Sequence, residues 1–355
     1  MSTDTAAARA SVSELRVVSD RKPARPKPQW RRALAFSNIG AVYVWLMIIA
    51  VFAIWVPDTF PTRTTFEQIL NNNAVTGLIA LSVVIPLAAR VFDLSVAFTM
   101  TLSGVVVAHF VAQTGLGVVP AVALALGVAL AIGLINGLVV VGLGVDSFIA
   151  TLATGSLIKA LITMVTSDQS ITGVKLLRAP FASIAQTDVA GLTLPVLYLL
   201  VVAGAIWFVL EHTATGRRLY ATGFNPDAAR LQSVATDRLR FLSLITSSLL
   251  AGVAGVVFTA AIGSGSPTAG DPYLLAAYAA AFLGATQLRG GRFNAWGTVI
   301  AVLLLGTGTT GLSLASTPQW STSVFTGVVL IVALAVTSGR VRLPKPLRRR
   351  AVAAD

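Results

Sequence analysis

The side chains able to do chemistry are few and scattered. Cysteine is absent, and the only two histidines, His109 and His212, stand far apart in the chain. That removes disulfides, thiolate zinc sites, cysteine nucleophiles and a histidine-based metal centre. A phosphate-cradling loop needs a Gly-Lys-Ser/Thr core, yet Lys22, Lys27, Lys159, Lys175 and Lys345 follow Arg21, Pro26, Ile158, Val174 and Pro344. The chain is therefore expected to bind no nucleotide, metal or other cofactor, and no convergent catalytic set is visible. The polar groups that stand out, Asp93, His109, Asn136 and Lys159, lie in or beside apolar runs. In hydrocarbon such groups need a partner or a water-filled path.

Those runs dominate the sequence. Of 355 residues, 55% are of the AVILMFWYC types and 11% are charged, with a mean hydropathy of +0.81. Charge is under half the roughly 25% of soluble domains. The composition predicts an all-α polytopic membrane protein. Apolar spans fall near 39–56, 74–89, 93–113, 118–141, 147–166, 193–210, 241–262, 274–288, 295–312 and 321–338, which is about ten helices of spanning length. Residues 1–38 read as a disordered basic tail, 39–338 as the membrane domain with a polar segment at 211–240, and 339–355 as a second basic tail. Apolar sequence begins only near Ile39, too late for a signal peptide.

The net charge of +12 is a topology signal and not a nucleic-acid footprint. With ten spans and a cytosolic N-terminus, 22 of the 26 basic residues fall on the cytosolic side; Arg63, Lys175 and Arg178 fall outside, and Lys159 lies within a span. That asymmetry places both termini in the cytosol.

Two spans, 74–89 and 274–288, are short for a bilayer, and Pro86 interrupts the first. Interrupted helices occur where backbone lines a cavity or is buried in protein. Asp93 is thus a candidate for the transport path, or the cap of the helix that follows it. Asn136, between Gly133 and Gly137, is either a helix-to-helix tie or a pore group. Lys159 either faces a wet interior or snorkels. The glycines at 133, 137, 252, 255, 306, 308 and 311 suit close helix packing. Ion-coupled carriers keep carboxylates near the bilayer centre, and this chain has almost none.

Residues 211–240 are the most informative. Asn225 suits an N-cap, Pro226 the first helical position and Asp227 the first turn, predicting a short amphipathic helix over about 226–235 that docks in a cytosolic partner. Here the sequence resembles the permease subunits of ATP-binding-cassette importers for simple sugars, of the ribose/xylose/galactose type. The resemblance rests on Gly216-Arg217 with Tyr220-Ala221-Thr222-Gly223-Phe224-Asn225 and Ala228-Ala229-Arg230-Leu231. It continues in Ile135-Asn136-Gly137-Leu138 followed by Phe148 to Thr154, in Phe92-Asp93-Leu94-Ser95-Val96, and in Leu283 to Arg292 with Gly297-Thr298. The family's signature often opens with a glycine pair where Arg90 and Val91 stand, and ends in glycine where Ala97 stands.

The resemblance implies a multi-pass permease of a bacterial plasma (inner) membrane. Its partners are a second permease copy or paralogue, cytosolic ATPase subunits carrying ATP and magnesium, an extracytoplasmic solute-binding protein, and lipid. Gly216, Arg217, Tyr220, Gly223, Asn225, Ala228, Ala229 and Arg230 are then the expected ATPase-coupling residues. Asp93, Ser95, Asn136, Phe148 and Thr151 are candidates for the translocation path or the seam between permeases. The rival expectation is a stand-alone secondary transporter or channel, which has no need of the 216–234 segment.

Overall fold

The computed structural model describes residues 36–286 and 291–337. Both basic tails, and Arg289 with its neighbours in the fourth matched run, lie outside the described residues. Thirteen α-helices are described: α1 Phe36–Trp55, α2 Arg63–Ala88, α3 Val96–His109, α4 Val118–Gly137, α5 Ser147–Thr166, α6 Ser183–Gln186, α7 Leu194–His212, α8 Ala214–Phe224, α9 Pro226–Leu231, α10 Thr236–Ile262, α11 Tyr273–Ala285, α12 Ala295–Leu314 and α13 Trp320–Thr337. A π-helical turn extends α3 to Thr114 and α4 to Gly142. Among the described residues, seven helices are long and apolar enough to cross a membrane: α2, extended α3, extended α4, α5, α7, α10 and α12. Three shorter apolar helices, 42–55, 273–285 and 320–332, complete the ten expected spans.

The short second span is a correction. Helix α2 begins at Arg63, eleven residues before the apolar run, and its 26 residues cover about 39 Å. Hydropathy misses this half because it is polar; the structure retains it by pairing several of its polar groups while Thr64, Gln68 and Asn72 stay exposed. Thr62 Oγ1 accepts from Thr65 N at 3.2 Å, and Arg63 pairs with Glu67 at 2.6 Å. Asn71 donates to Gly191 O and accepts from Thr193 N at 2.9 Å. Pro86 does not break the helix; it occupies the last turn.

Helix α2 ends in a Schellman motif. Val91 N donates to Pro86 O at 2.9 Å and Arg90 N to Leu87 O at 3.0 Å. The motif needs a left-handed residue at Arg90, whose φ is 59°. Glycine adopts that conformation freely, whereas a side chain there costs about 1 kcal/mol.

The core sits where α10 packs on α2, α3 and α4, with α2 also meeting α7, α11 and α12. Small residues set these distances, as expected. A Cβ on Gly252 would lie 2.6 Å from Ala129 Cβ, and one on Gly133 would lie 2.8 Å from Ile245 Cα. A Cβ on Gly255 would run into the Met100 carbonyl. Interfaces this close gain dispersion that lipid cannot supply.

The connections sort to two ends. At one end Ile171–Thr172 pairs with Ser264–Gly265, Gln186 donates to Ala260 O, and Lys159 pairs with Asp271 at 3.3 Å. At the other end α8, α9, the α2 terminus and residues 291–294 meet. Alternation through ten spans puts the start of α1 and the finish of α13 at this second end. Arg90, Arg217, Arg218, Arg230, Arg238, Arg240 and Arg292 are there too.

Candidate functional site

Four of the five path candidates meet in one buried knot. Between α2 and α3 the chain runs extended through Val91, Phe92 and Asp93, and Val91, Asp93 and Ser95 are fully shielded. An extended segment there has no helical partners for its amides, so side chains from other helices supply them. Phe92 N donates to Ser147 Oγ at 3.1 Å, Asp93 N to Tyr278 Oη at 3.1 Å, and Leu94 N to Thr151 Oγ1 at 3.0 Å. The Asp93 carboxylate accepts from Ser95 N at 3.1 Å and Ser95 Oγ at 2.6 Å. Asn136 Nδ2 reaches Ser95 Oγ at 2.8 Å. Asp93 thus holds the turn into α3, whose N-cap is Ser95, and Asn136 ties α4 to that turn.

Phe148 differs. It touches the knot edge-on through Phe92, with ring centroids 6.2 Å apart, but remains half-exposed on the outside of the bundle. The knot leaves buried polar atoms open: among the described residues Asp93 Oδ2 and Asn136 Oδ1 have no hydrogen-bond partner, nor do the hydroxyls of Ser247 and Ser248. Burying such groups unpaired is unfavourable. Among the described residues no His, Cys, Asp and Glu cluster could hold a metal.

The coupling candidates build a second site at the arginine-rich end. The segment is more helical than expected. Helix α7 runs to His212, and Thr213 caps α8 by accepting from Gly216 N at 3.2 Å. A Cβ on Gly216 would strike the carbonyls of Val209 and Leu210, so Gly216 closes the α7–α8 corner. Gly223 lies directly on the carbonyl of Ala88. Tyr220 donates to Phe293 O at 2.7 Å, and Arg217 is exposed.

Asn225 caps α9 as read from sequence, accepting from Ala228 N at 3.0 Å. The helix stops at Leu231, not 235, because Ser233 takes a left-handed φ of 59° and α10 begins at Thr236. Residues 236–240 therefore belong to a membrane helix. Arg230 bonds Thr236 Oγ1 at 2.8 Å and pairs with Asp237 at 2.6 Å, stapling α9 to α10. Ala229 is buried within this chain while Ala228 is exposed. The need for a small residue at 229 is thus already internal.

Sequence reasoning missed what this end presents outward. Phe224 is 90% exposed and Leu231 85%, the two most exposed large apolar side chains among the described residues. Both were quoted in the matched run without a role. It also missed Tyr278 and Ser147, whose hydroxyls seat the extended segment; a tyrosine in the alanine-rich α11 was the available signal.

A ten-helix membrane bundle with a buried polar knot and a capped helical hairpin at one end is the architecture of a transport permease. Residues 65–334 match the family described as "Branched-chain amino acid transport system / permease component", and the chain belongs to that family. Permease subunits of this family are not enzymes, and any ATP hydrolysis takes place on a separate chain. The protein is accordingly a multi-pass protein of the plasma (inner) membrane.

Among curated relatives, the D-allose transport system permease protein AlsC of Escherichia coli K12 is 30% identical over 316 residues, 88% of this chain and 95% of the relative. The ribose import permease protein RbsC of the same strain is 32% identical over 292 residues, 82% and 90% respectively. The fructose import permease protein FrcC of Rhizobium meliloti is 30% identical over 310 residues, 84% and 85%.

Proposed function

We propose that this chain is the permease subunit of an ATP-driven, binding-protein-dependent importer for a monosaccharide or sugar-like solute. It pairs with a second permease copy or paralogue, receives solute from an extracytoplasmic binding protein, and is driven by cytosolic ATPase subunits that carry ATP and magnesium. The observation that carries this reading is the α8–α9 hairpin, which holds Phe224 and Leu231 clear of its own protein at an otherwise polar end. Exposed apolar anchors beside arginines are the usual material of a protein interface. The allose, ribose and fructose permeases among the relatives support a sugar as the solute.

The test is reconstitution into vesicles with the ATPase and binding protein of the same system. ATPase should copurify, and labelled ribose, allose or fructose should accumulate only with ATP and binding protein. Accumulation by the permease alone would instead make it a stand-alone carrier.

The proposed orientation puts the α8–α9 end in the cytosol. The absence of cysteine makes this directly measurable, because Ser183 and Ser233 are both exposed and lie at opposite ends. Ser183→Cys should label from outside sealed cells and Ser233→Cys only after permeabilisation. Labelling of both from one side would overturn the orientation.

A further inference from the structure

We propose that the cavity between the α2 terminus, α8 and residues 291–293 is a binding site for a phosphate group, borne either by an anionic phospholipid headgroup or by a soluble phosphate ester. The cavity measures about 530 Å³ and is lined by Ala88, Arg90, Arg217, Tyr220, Phe224, Arg292 and neighbouring residues. That is the size of a small-molecule site.

Three arginines line it, and no acidic residue does among the described residues. Elsewhere at this end Arg230 has its aspartate, and at the far end Arg63 has its glutamate. By contrast the side chains of Arg90 and Arg217 make no hydrogen bond or ion pair among the described residues. Arg292 lies over the Tyr220 ring, 5.5 Å from its centroid. Among the described residues the acid that touches a lining residue is Glu211, which accepts a long bond of 3.4 Å from Tyr220.

Three like charges around one cavity repel, so its closed arrangement favours an anion inside it. A phosphate suits it better than a single carboxylate, since three acceptor oxygens and up to two charges match several forked guanidinium donors. The end of α2 and the segment 291–293 just before α12 form its walls, which places it at the level of the membrane surface, where anionic headgroups concentrate.

Arg90 adds an independent indication. It fills the left-handed position of the Schellman motif, where the backbone favours glycine. An arginine stands there against that preference, and it lines the cavity. Because α8 is one wall, occupancy would brace the coupling hairpin against α2. This consequence rests on the coupling role of α8; the binding itself does not.

The experiment uses the full chain in phosphatidylcholine nanodiscs and reads thermal unfolding. One arm replaces about 30% of the lipid by phosphatidylglycerol, so that binding to the folded state registers as added stability. The other adds inorganic phosphate or glycerol 3-phosphate against chloride at equal ionic strength. Either arm should raise the unfolding temperature by about 2 °C or more, and the arm that does so identifies the source. Arg90→Gly with Arg217→Gln should abolish the rise, and the glycine suits the backbone, so the variant should fold. Equal responses in wild type and variant would overturn the site. So would a variant that responds normally in both arms but loses copurifying ATPase, since the arginines would then serve a carboxylate on that protein.

Discussion

Phe224→Ser together with Leu231→Ser should abolish ATP-driven uptake and copurification of the ATPase, while leaving the permease folded. At 90% and 85% exposure neither side chain supports its own bundle, so truncation leaves no cavity and stability should change by less than about 0.5 kcal/mol per site. Apolar anchors that seat in a partner's groove carry about 2 kcal/mol each, so the pair should weaken association by about a thousandfold. Measuring the unfolding temperature beside copurification separates the two effects. Normal copurification would remove the docking role of the hairpin. Ala229→Glu and a bulky residue at Gly216 are poorer tests, because both positions are packed inside this chain and would damage the corner itself.

Removing the hydroxyls that seat the extended segment should have the opposite profile. Ser147→Ala, Thr151→Val and Tyr278→Phe keep shape but strand the amides of Phe92, Asp93 and Leu94. Each buried unpaired donor costs about 1–3 kcal/mol, and because the three share one segment their effects should not add independently. The triple variant should lose about 3 kcal/mol or more. It should show a lowered unfolding temperature and reduced yield in the membrane, with the α8–α9 surface unchanged. A triple variant as stable as the wild type would mean that the segment is held by apolar packing alone.

Hydropathy located all ten spans, since period and length survive any tertiary arrangement. It failed at the start of α2, where Arg63, Glu67, Asn71 and Asn73 lower the average and the partners of Asn71, Gly191 and Thr193, are invisible to a local window. The caps at Asn225 and the first turn at Asp227 were readable because capping is local. The end of α9 was not, because Ser233 gives no sign of its left-handed turn.

Asp93, Ser95, Asn136 and Thr151 were singled out as polar groups in matched runs. Their meeting is a tertiary fact carried by contacts across 41 and 57 positions. Tyr278, 185 positions from Asp93, had no local feature that joined it to them. At the α8–α9 end, residue size draws attention to Ala228 and Ala229, whereas exposure, which no sequence states, points to Phe224 and Leu231.

Gly223 rests on the carbonyl of Ala88 with no side chain between the two backbones. A joint of that kind has no slack. Side chains at an interface absorb small displacements by changing rotamer, but two touching backbones have no such compliance. An inward push on the hairpin must therefore arrive undiminished at the last turn of α2, and two residues beyond that turn the chain enters the extended segment. If an ATPase docks on the hairpin as proposed, its motion would reach the central helix as a rigid displacement.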